Sequence, residues 1–307
     1  MRIAIIDLGT NTFNILIVEI KENKSYHAIF QTKLPVKLGE GGINDHLIRP
    51  VPFQRGIDAL KQHQKTIEKY DVHQVYPFAT SAVREAVNGQ EFVEKLKLET
   101  GYDVRTISGE REAELIYYGV REAVKMTGEL SLIIDIGGGS TEFIIANKEQ
   151  TFWKQSFLLG AARLLEKFNP SDPITDGQIR EIDTYLTHEL QPLFDAVKKY
   201  PVTELIGSSG SFDSLAEMIA HRFYSPDILN GSTEYTFRMS DFEALYATIL
   251  KSTKEERLQM EGLVEMRVDM IVISSVLVHF ILSAFNIPKM RLSTFSLKEG
   301  ILYELLK

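Results

Sequence analysis

Two short segments combine an aspartate with a run of glycine, hydroxyl or amide residues, a pattern able to bind phosphate. In Ile5–Ile17, Asp7 is followed by Gly9, Thr10 and Asn11. The backbone N–H groups of such a turn form a concave row that binds anionic oxygens, and hydroxyl and amide groups add donors. An aspartate beside bound phosphates suits Mg²⁺, held directly or through water. In the second segment, Asp135 is followed by Gly137, Gly138, Gly139, Ser140 and Thr141.

The two segments align at a constant offset of 128 residues, Ile5–Ile17 with Ile133–Ile145. Each is an apolar strand ending in aspartate, a small-residue turn and a second apolar strand, which is the pattern of a β-hairpin. Two unrelated hairpins would be the alternative. The shared Ile-Ile-Asp-x-Gly core favours a duplication, and therefore two domains of one fold whose turns face each other and clamp a polyphosphate.

A third small-residue turn, Leu205–Ser211, follows an apolar strand and precedes a helix. Ser209 and Gly210 within it are candidate phosphate or nucleotide contacts, because the amides of a helix N-terminus bind anions. A plain strand-to-helix connection is the competing interpretation. The sequence contains no G-x-x-x-x-G-K-[ST] motif, so a P-loop nucleotide site is excluded.

The elements that must position these turns alternate along the chain. Apolar runs predict a three-strand meander over Ile3–Leu38 and a restart of strands over Leu132–Phe157. Helical spacing predicts a helix over Pro52–Tyr70 and another from Gly109, with Ser108 as its N-cap. Capping boxes are expected at Thr175–Gln178, Ser240–Glu243 and Thr253–Glu256, and one long helix over Met260–Phe285.

Composition excludes several classes of protein. The chain has 307 residues, 44% hydrophobic and 25% charged, as in soluble globular proteins. The absence of cysteine excludes disulfides, thiol nucleophiles and cysteine-based zinc sites. A net charge of −8 argues against a non-specific nucleic-acid binder. The longest apolar run is shorter than the ~20 residues of a membrane span, so we expect a cytoplasmic protein without a membrane or nucleic-acid partner.

The chain resembles the exopolyphosphatase/guanosine pentaphosphate phosphohydrolase (Ppx/GppA) family. Six stretches carry the resemblance in order along nearly the whole chain: Ile6–Phe13, Ala79–Ala86, Ile107–Tyr117, Ile134–Glu142, Leu159–Leu164 and Gly207–Ser211, with Leu297–Gly300 after them. The resemblance implies an α/β fold of two actin-like (ribonuclease H-like, ASKHA) domains facing across a cleft. We expect residues 1–121 plus 298–307 to form the first domain and residues 122–297 the second.

The resemblance also implies a reaction. It is the Mg²⁺-dependent hydrolytic release of the terminal phosphate from inorganic polyphosphate or from guanosine pentaphosphate, a substrate linked to ppGpp and the stringent response. By motif position, Glu112 looks like the carboxylate that activates water and Glu142 like a second acid at the site. A placed water, a carboxylate within its reach and cations on the transferring group are what phosphoanhydride hydrolysis requires. Asp7 and Asp135 are the expected metal residues.

Arg84 is the first candidate for a cation on the substrate phosphate, because its planar fork matches phosphate oxygens. A surface salt bridge is the competing interpretation. Lys37, Arg163, Arg267 and Lys298 are secondary candidates. Lys298 stands where the family usually has arginine, which leaves any substrate contact there open.

Two other functions remain open from the sequence. An actin-like-fold kinase would also use paired phosphate turns and Mg²⁺, although the motif around Glu112 favours water over an acceptor group. A non-catalytic sensor could bind polyphosphate or an alarmone and signal through domain closure, although both Glu112 and Glu142 are present. The preferred substrate, its chain length and the oligomeric state, including a homodimer, are left undetermined.

Overall fold

The computed structural model describes all residues from Met1 to Lys307. In the N-terminal part the helices and strands are β1 (Arg2–Leu8), β2 (Thr12–Ile20), β3 (Tyr26–Pro35), α1 (Pro50–Lys69), β4 (Gln74–Ala79), α2 (Ser81–Glu85), α3 (Gly89–Thr100), β5 (Arg105–Thr106) and α4 (Gly109–Ala123). The predicted meander is therefore present as β1 to β3, and the predicted helices correspond to α1 and α4.

The remaining elements begin with a second meander. They are β6 (Ser131–Ile136), β7 (Thr141–Ala146), β8 (Thr151–Phe157), α5 (Ala161–Phe168), α6 (Asp176–Glu189), α7 (Gln191–Lys199), β9 (Glu204–Ser208), α8 (Ser209–Phe223), β10 (Glu234–Phe237), α9 (Met239–Lys251), α10 (Lys254–Leu258), α11 (Ile271–Ala284), β11 (Met290–Ser293) and α12 (Leu297–Leu306). Short 3₁₀ turns cover Pro226–Leu229 and Glu265–Arg267.

The two sheets have one topology, as the repeat predicts. The first has strand order β3-β2-β1-β4-β5, and the second has order β8-β7-β6-β9-β11 with β10 added at its edge. In both, the hairpin strands are antiparallel and the following strand joins the first in parallel, β4 beside β1 and β9 beside β6. The carboxyl ends of β1 and β6, where Asp7 and Asp135 lie, are therefore equivalent places in the two sheets.

Helices α4 and α12 connect the sheets through a shared apolar core. Ile116 and Leu302 pack in one cluster with Ile5 of the first sheet and with Ile133 and Ile144 of the second. Each sheet also has a core on its other face. The terminal helix thus lies against α4, which fixes both helix N-termini relative to the two hairpin turns; the domain boundaries given above stay a prediction.

Local signals were read correctly at most helix starts. The Ser108 hydroxyl caps α4 by accepting from Arg111 N, and the capping boxes at Thr175 and Thr253 are both formed. The box predicted at Ser240 is wrong, because α9 already begins at Met239 and Ser240 lies inside its first turn.

The single helix predicted over Met260–Phe285 is also wrong. Gly262 has φ +82°, a left-handed conformation that a helix cannot continue through. Its backbone lies so close to α8 that an added Cβ would come within 2.6 Å of the Glu217 carbonyl carbon. The chain therefore turns against α8 before α11 begins at Ile271, and this turn brings Arg267 to the candidate site.

Candidate active site

A cleft of about 520 Å³ opens where both hairpin turns and the N-termini of α4, α8 and α12 meet. It gathers residues that are far apart in the sequence. Of the residues predicted for the site, eleven line this cleft: Asp7, Thr10, Asn11, Glu112, Asp135, Gly137, Gly138, Gly139, Ser140, Ser209 and Gly210.

The two hairpin turns touch each other, and glycine is required at the contact. A Cβ on Gly138 would collide with the Asn11 amide. A Cβ on Gly139 would come within 2.6 Å of both the Thr10 and the Ser81 hydroxyl oxygens. The two turns therefore pack into one continuous wall of the cleft, which Thr10, Asn11, Gly138 and Gly139 all line.

Glu112 lies in the first turn of α4, where the helix N-terminus favours negative charge. It is only 7% exposed. Burial, followed by the charge of Glu142, raises its pKa well above the usual carboxylate value, while Arg84 opposes this shift. A buried carboxylate at the edge of a polar cleft with a raised pKa is a suitable general base at neutral pH.

Arg84 is placed differently from the prediction. Its guanidinium donates from Nη1 to Glu112 Oε2 at 2.9 Å and to the Ile107 carbonyl at 3.1 Å, and from Nε to Glu85 Oε1 at 2.9 Å. It does not line the cleft. The cause is the pair of carboxylates around it: Glu85 is its neighbour in the sequence, whereas Glu112 is brought by the folding of α4, which the sequence does not reveal. In this structure Arg84 is the ion-pair partner of Glu112 rather than a cation facing the cleft.

Glu142 is also set back from the cleft. It is 1% exposed on β7 and accepts a hydrogen bond of 2.7 Å from the Ser156 hydroxyl. Burial raises its pKa to about 7, with a further increase from Asp135 and a decrease from its hydroxyl partners. The charge of Glu142 is felt at the site as a raised pKa of Glu112, and its catalytic role stays a prediction.

Thr141 does not reach the cleft either. It is fully buried, and its hydroxyl donates to the Leu159 carbonyl at 2.9 Å. Because strand residues alternate between faces, Thr141 points away from the turn at which Ser140 lies. The structure therefore does not bring the Thr141 side chain to the cleft, and its predicted role in phosphate binding stays a prediction.

Asp135 is held by three hydroxyl groups. The Oγ atoms of Ser208, Ser209 and Ser296 donate to its carboxylate at 2.6 to 2.7 Å. Ser209 has φ +66°, a strained conformation for a residue with a side chain, and the hydrogen bond to Asp135 fixes it there. Since Ser296 precedes α12, this cluster ties the N-termini of α8 and α12 to the second hairpin.

Asp7 and the ammonium group of Lys298 line the side of the cleft opposite Asp135. Burial raises the pKa of Asp7 to about 6, against lowering contributions from Lys298 and from the Asn14 amide, which donates to Oδ2 at 2.9 Å. Burial lowers the pKa of Lys298, but the carboxylates of Glu299, Asp7 and Asp135 outweigh it and leave the pKa raised. Lys298 makes no hydrogen bond within the protein and lines the cleft.

The family model for the Ppx/GppA phosphatase family matches residues 16–307. The chain belongs to this family. Several relatives of similar length support this Ppx/GppA assignment. A crystal structure described as an exopolyphosphatase from Cytophaga hutchinsonii has 39% sequence identity to this chain and a TM-score of 0.95. The match covers 100% of this chain and 98% of that one.

Two further relatives support the same assignment. The Aquifex aeolicus member of the Ppx/GppA family is 26% identical, with a TM-score of 0.80 over 100% of this chain and 97% of that one. A Haemophilus influenzae protein that carries an exopolyphosphatase name is 28% identical over 306 residues, covering 100% of this chain and 92% of that protein. Together with the duplicated topology, these matches confirm the predicted α/β fold class, with two sheets of one strand order.

Two residues that line the cleft, Ser81 and Arg267, were not among the leading candidates from the sequence. Ser81 lies in the Ala79–Ala86 stretch, is 2% exposed, lines the cleft and has no hydrogen-bond partner for its hydroxyl. Arg267 reaches the cleft and lies so close over Gly210 that a Cβ there would collide with the guanidinium. A buried hydroxyl next to two phosphate turns was the available signal for Ser81; nothing local marked Arg267.

The remaining secondary candidates for a substrate cation, Lys37 and Arg163, lie in different places. Lys37 lines the cleft with Lys298 and Arg267. Arg163 instead donates from Nε to the Gly139 carbonyl at 3.1 Å and from Nη1 to the Ile43 carbonyl at 2.7 Å. It therefore braces the glycine turn against the loop that carries Ile43, and it does not line the cleft.

The carboxylates of the cleft offer few ligands for Mg²⁺. No group of three or more His, Cys, Asp or Glu side chains is arranged to hold a metal ion. Mg²⁺ is typically held by one or two carboxylates together with waters and substrate phosphates. Asp7 has a carboxylate oxygen beside the cleft and a pKa raised by burial, which a cation would relieve, whereas Asp135 is largely occupied by hydroxyls. The residues fit a Mg²⁺ ion that arrives with substrate.

None of the helices combines the length and the apolar character that a bilayer span requires. The long apolar run of the sequence forms α11, a 14-residue helix whose side chains are almost all buried in the second domain.

Proposed function

We propose that the protein is a phosphoanhydride hydrolase that releases the terminal phosphate of inorganic polyphosphate or of guanosine pentaphosphate, with water activated by Glu112. The observation that carries the proposal is the position of Glu112, a buried carboxylate with a raised pKa at the edge of a cleft walled by the two hairpin turns. The similarity to an exopolyphosphatase over the whole chain supports the polyphosphate class.

The substrate phosphates would bind against the paired turns. Backbone N–H groups at Gly138 and Gly139 and the hydroxyls of Thr10, Ser140 and Ser81 supply donors around one place. Lys298 and Arg267 add positive charge from the other side of the cleft. In a protein of net charge −8 this local concentration of cations is what attracts a polyanion.

Glu112 would accept a proton from the water that attacks the terminal phosphorus. Arg84 lowers the pKa of Glu112, and the charge of Glu142 raises it. General-base catalysis is most effective when the pKa of the base lies near the working pH, so these two neighbours would set the pH range in which Glu112 acts. The bond between the terminal phosphorus and the bridging oxygen breaks, and the remaining chain leaves as a phosphate anion.

Mg²⁺, when bound, would neutralise charge on the transferring phosphoryl group. Asp7 is the residue best placed to hold it, together with substrate oxygens. The hydroxyl cluster on Asp135 keeps that carboxylate fixed at the end of β6 and thereby orients the N-terminus of α8.

The test is phosphate release from long polyphosphate and from guanosine pentaphosphate in Mg²⁺, with Glu112→Gln and Glu110→Gln compared. Glu110 is an exposed neighbour in the same helical turn and serves as the matched control. We expect release by the wild type and the control and almost none by Glu112→Gln. Binding without release in the wild type would favour the sensor, and phosphate transfer only to an added acceptor would favour a kinase.

A further inference from the structure

The two hairpin turns present matching N–H groups that the protein itself leaves without acceptors. One backbone bond closes each turn, from Gly9 N to Thr12 O at 3.1 Å and from Gly137 N to Ser140 O at 3.0 Å. These two bonds are separated by the same 128 residues as the hairpins. The residues inside the turns line the cleft, and their backbone N–H groups have no hydrogen-bond acceptor within the protein: Thr10, Asn11, Gly138 and Gly139. Each turn therefore offers two free donors to a ligand.

Helix α5 holds the second turn from behind by binding its carbonyl groups. Ala162 N donates to Gly138 O at 3.0 Å, and Arg163 Nε donates to Gly139 O at 3.1 Å. The helix lies so close that a Cβ at Gly160 would come within 2.4 Å of the Gly138 carbonyl carbon. A trans peptide directs its carbonyl and its N–H to opposite sides. Because the Gly138 carbonyl faces α5, the N–H of Gly139 in the same peptide faces away from that helix.

The loop between β3 and α1, residues 36–49, holds the first turn in the same way. Leu38 N donates to Thr10 O at 2.6 Å, and Lys37 N donates to Asn11 O at 2.9 Å. The N–H of Asn11 belongs to the same peptide as the Thr10 carbonyl, so it faces away from the loop. Both turns thus have their carbonyl groups bound on one side and their N–H groups free on the other.

Two side chains of α5 connect the helix to this loop. Glu166 Oε2 accepts a hydrogen bond from Gly41 N at 3.0 Å, and Oε1 accepts one from Asn44 N at 3.4 Å. Arg163 Nη1 donates to Ile43 O at 2.7 Å, in addition to its bond with the glycine turn. The loop and α5 therefore form one hydrogen-bonded unit behind both turns, which we call the backing frame.

Arg163 and Glu166 act from outside the cleft, because neither side chain lines it. Arg163 is 6% exposed, and its planar guanidinium reaches carbonyl oxygens on both parts of the backing frame. A lysine ammonium is a single point of charge and does not reproduce such a fork. Glu166 is exposed, so its contacts with the loop can be removed without leaving a buried cavity.

We propose that Arg163 and Glu166 are positioning residues that set the spacing of the two turns, and that this spacing selects ligands with two linked phosphate groups. A diphosphate accepts hydrogen bonds from both turns at once, whereas a single phosphate group uses the donors of one turn. Two contacts made by one ligand reinforce each other only while the geometry allows both together. The inference rests on the proposed function and adds to it two residues that no ligand touches.

The experiment measures the dissociation constants of pyrophosphate and of orthophosphate by calorimetry, without Mg²⁺, so that binding is separated from hydrolysis. The wild type is compared with Glu166→Ala and with Glu181→Ala. Glu181 is an exposed carboxylate on α6, outside the cleft and the backing frame, so its removal changes the net charge equally. We expect Glu166→Ala to weaken pyrophosphate binding about tenfold relative to orthophosphate, since a displacement of about 1 Å is enough for a loss of this size. The ratio in Glu181→Ala should stay at the wild-type value.

Two conservative variants separate positioning from folding. Glu166→Gln keeps an oxygen that accepts from Gly41 N, so its ratio of dissociation constants should stay near the wild-type value. Arg163→Lys keeps the charge but loses the fork, so its ratio should change as in Glu166→Ala. The Tm of each variant is measured as well. A lower Tm with an unchanged ratio in both Glu166→Ala and Arg163→Lys would mean that the backing frame only stabilises the fold, and it would overturn the inference.

Failure of the proposed function gives a different result. If the wild type binds pyrophosphate but releases no phosphate from tripolyphosphate, the hydrolase proposal fails, and the ratio of dissociation constants still decides the inference. Equal changes in the ratio for Glu166→Ala and Glu181→Ala would overturn the inference by showing an effect of net charge alone. A wild type that binds pyrophosphate no more tightly than orthophosphate would also overturn it.

Discussion

Replacing Arg84 with glutamine is expected to move the acidic limb of the pH–rate profile upward. The Arg84 guanidinium lies 2.9 Å from Glu112 Oε2, and it also interacts with the carboxylates of Glu85 and Glu142. Its positive charge lowers the pKa of Glu112, against burial, Glu142 and Asp7, which raise it. A base must be ionised to act, so a higher pKa means that activity is lost at a higher pH.

The size of the shift follows from the distance. An opposite charge within about 4–6 Å changes a carboxylate pKa by about one to three units. Because Arg84 is shared with Glu85, we expect an effect at the lower end of this range, which corresponds to about a tenfold loss of rate at a pH on the acidic limb. If Arg84 instead contacted substrate phosphate, its removal would raise KM by about ten- to a hundredfold at every pH.

The assay is kcat/KM for phosphate release from tripolyphosphate between pH 5 and 9. Arg111→Gln is the matched control, since Arg111 pairs with Glu114 of α4 and Glu304 of α12, does not line the cleft, and surface pairs contribute little. We expect the acidic limb of the Arg84→Gln profile to shift to higher pH and the limb of the control to stay at the wild-type pH. A uniform fall in kcat/KM with an unmoved limb would refute the role assigned to Arg84.

Four further variants test the site. Glu112→Gln should reduce turnover about 10²–10⁴-fold with little change in substrate binding by calorimetry; retention of a tenth of the activity would exclude it as the base. Gly138→Val should weaken inhibition by pyrophosphate, because its side chain would displace Asn11 from the turn; unchanged inhibition would mean that the glycine only shapes the turn. Asp7→Asn should raise the Mg²⁺ concentration for half-maximal rate about tenfold or more, and an unchanged Mg²⁺ titration would remove Asp7 from the metal site. Glu142→Gln should raise the Tm at pH 8. The pKa of Glu142 is raised from its usual value of 4.5 to about 7 in the folded protein, so the folded state loses stability as the pH rises from 4.5 through 7, and glutamine avoids this loss. An equal gain in Tm at pH 4.5 and at pH 8 would contradict this.

The sequence predicted the architecture because the architecture depends on a repeated local pattern. Asp7 and Asp135 sit at equivalent strand ends, and alternation and spacing were enough to locate the strands before and after them. Helix caps such as Ser108 and Thr175 were found for the same reason, since a cap is a contact between residues three apart. Gly262 ended a predicted helix through its backbone conformation, which the apolar pattern around it did not show.

The site was predicted less completely, because its details depend on partners distant in sequence. Arg84 faces Glu112 and not the cleft, and Ser296 reaches Asp135 across the molecule. Arg267 enters the cleft only because the chain turns at Gly262. The domain boundaries, the roles of the site residues, Mg²⁺, the cytoplasmic location and the oligomeric state stay predictions.

The central claim is that water held by Glu112 attacks the terminal phosphorus, and oxygen-18 labelling tests it most directly. Tripolyphosphate is hydrolysed in ¹⁸O-labelled water with Mg²⁺, and the products are analysed by mass spectrometry. We predict one solvent oxygen in the released orthophosphate, none in the pyrophosphate, and loss of both products in Glu112→Gln. Solvent oxygen in the pyrophosphate, or undiminished labelling in Glu112→Gln, would contradict the account.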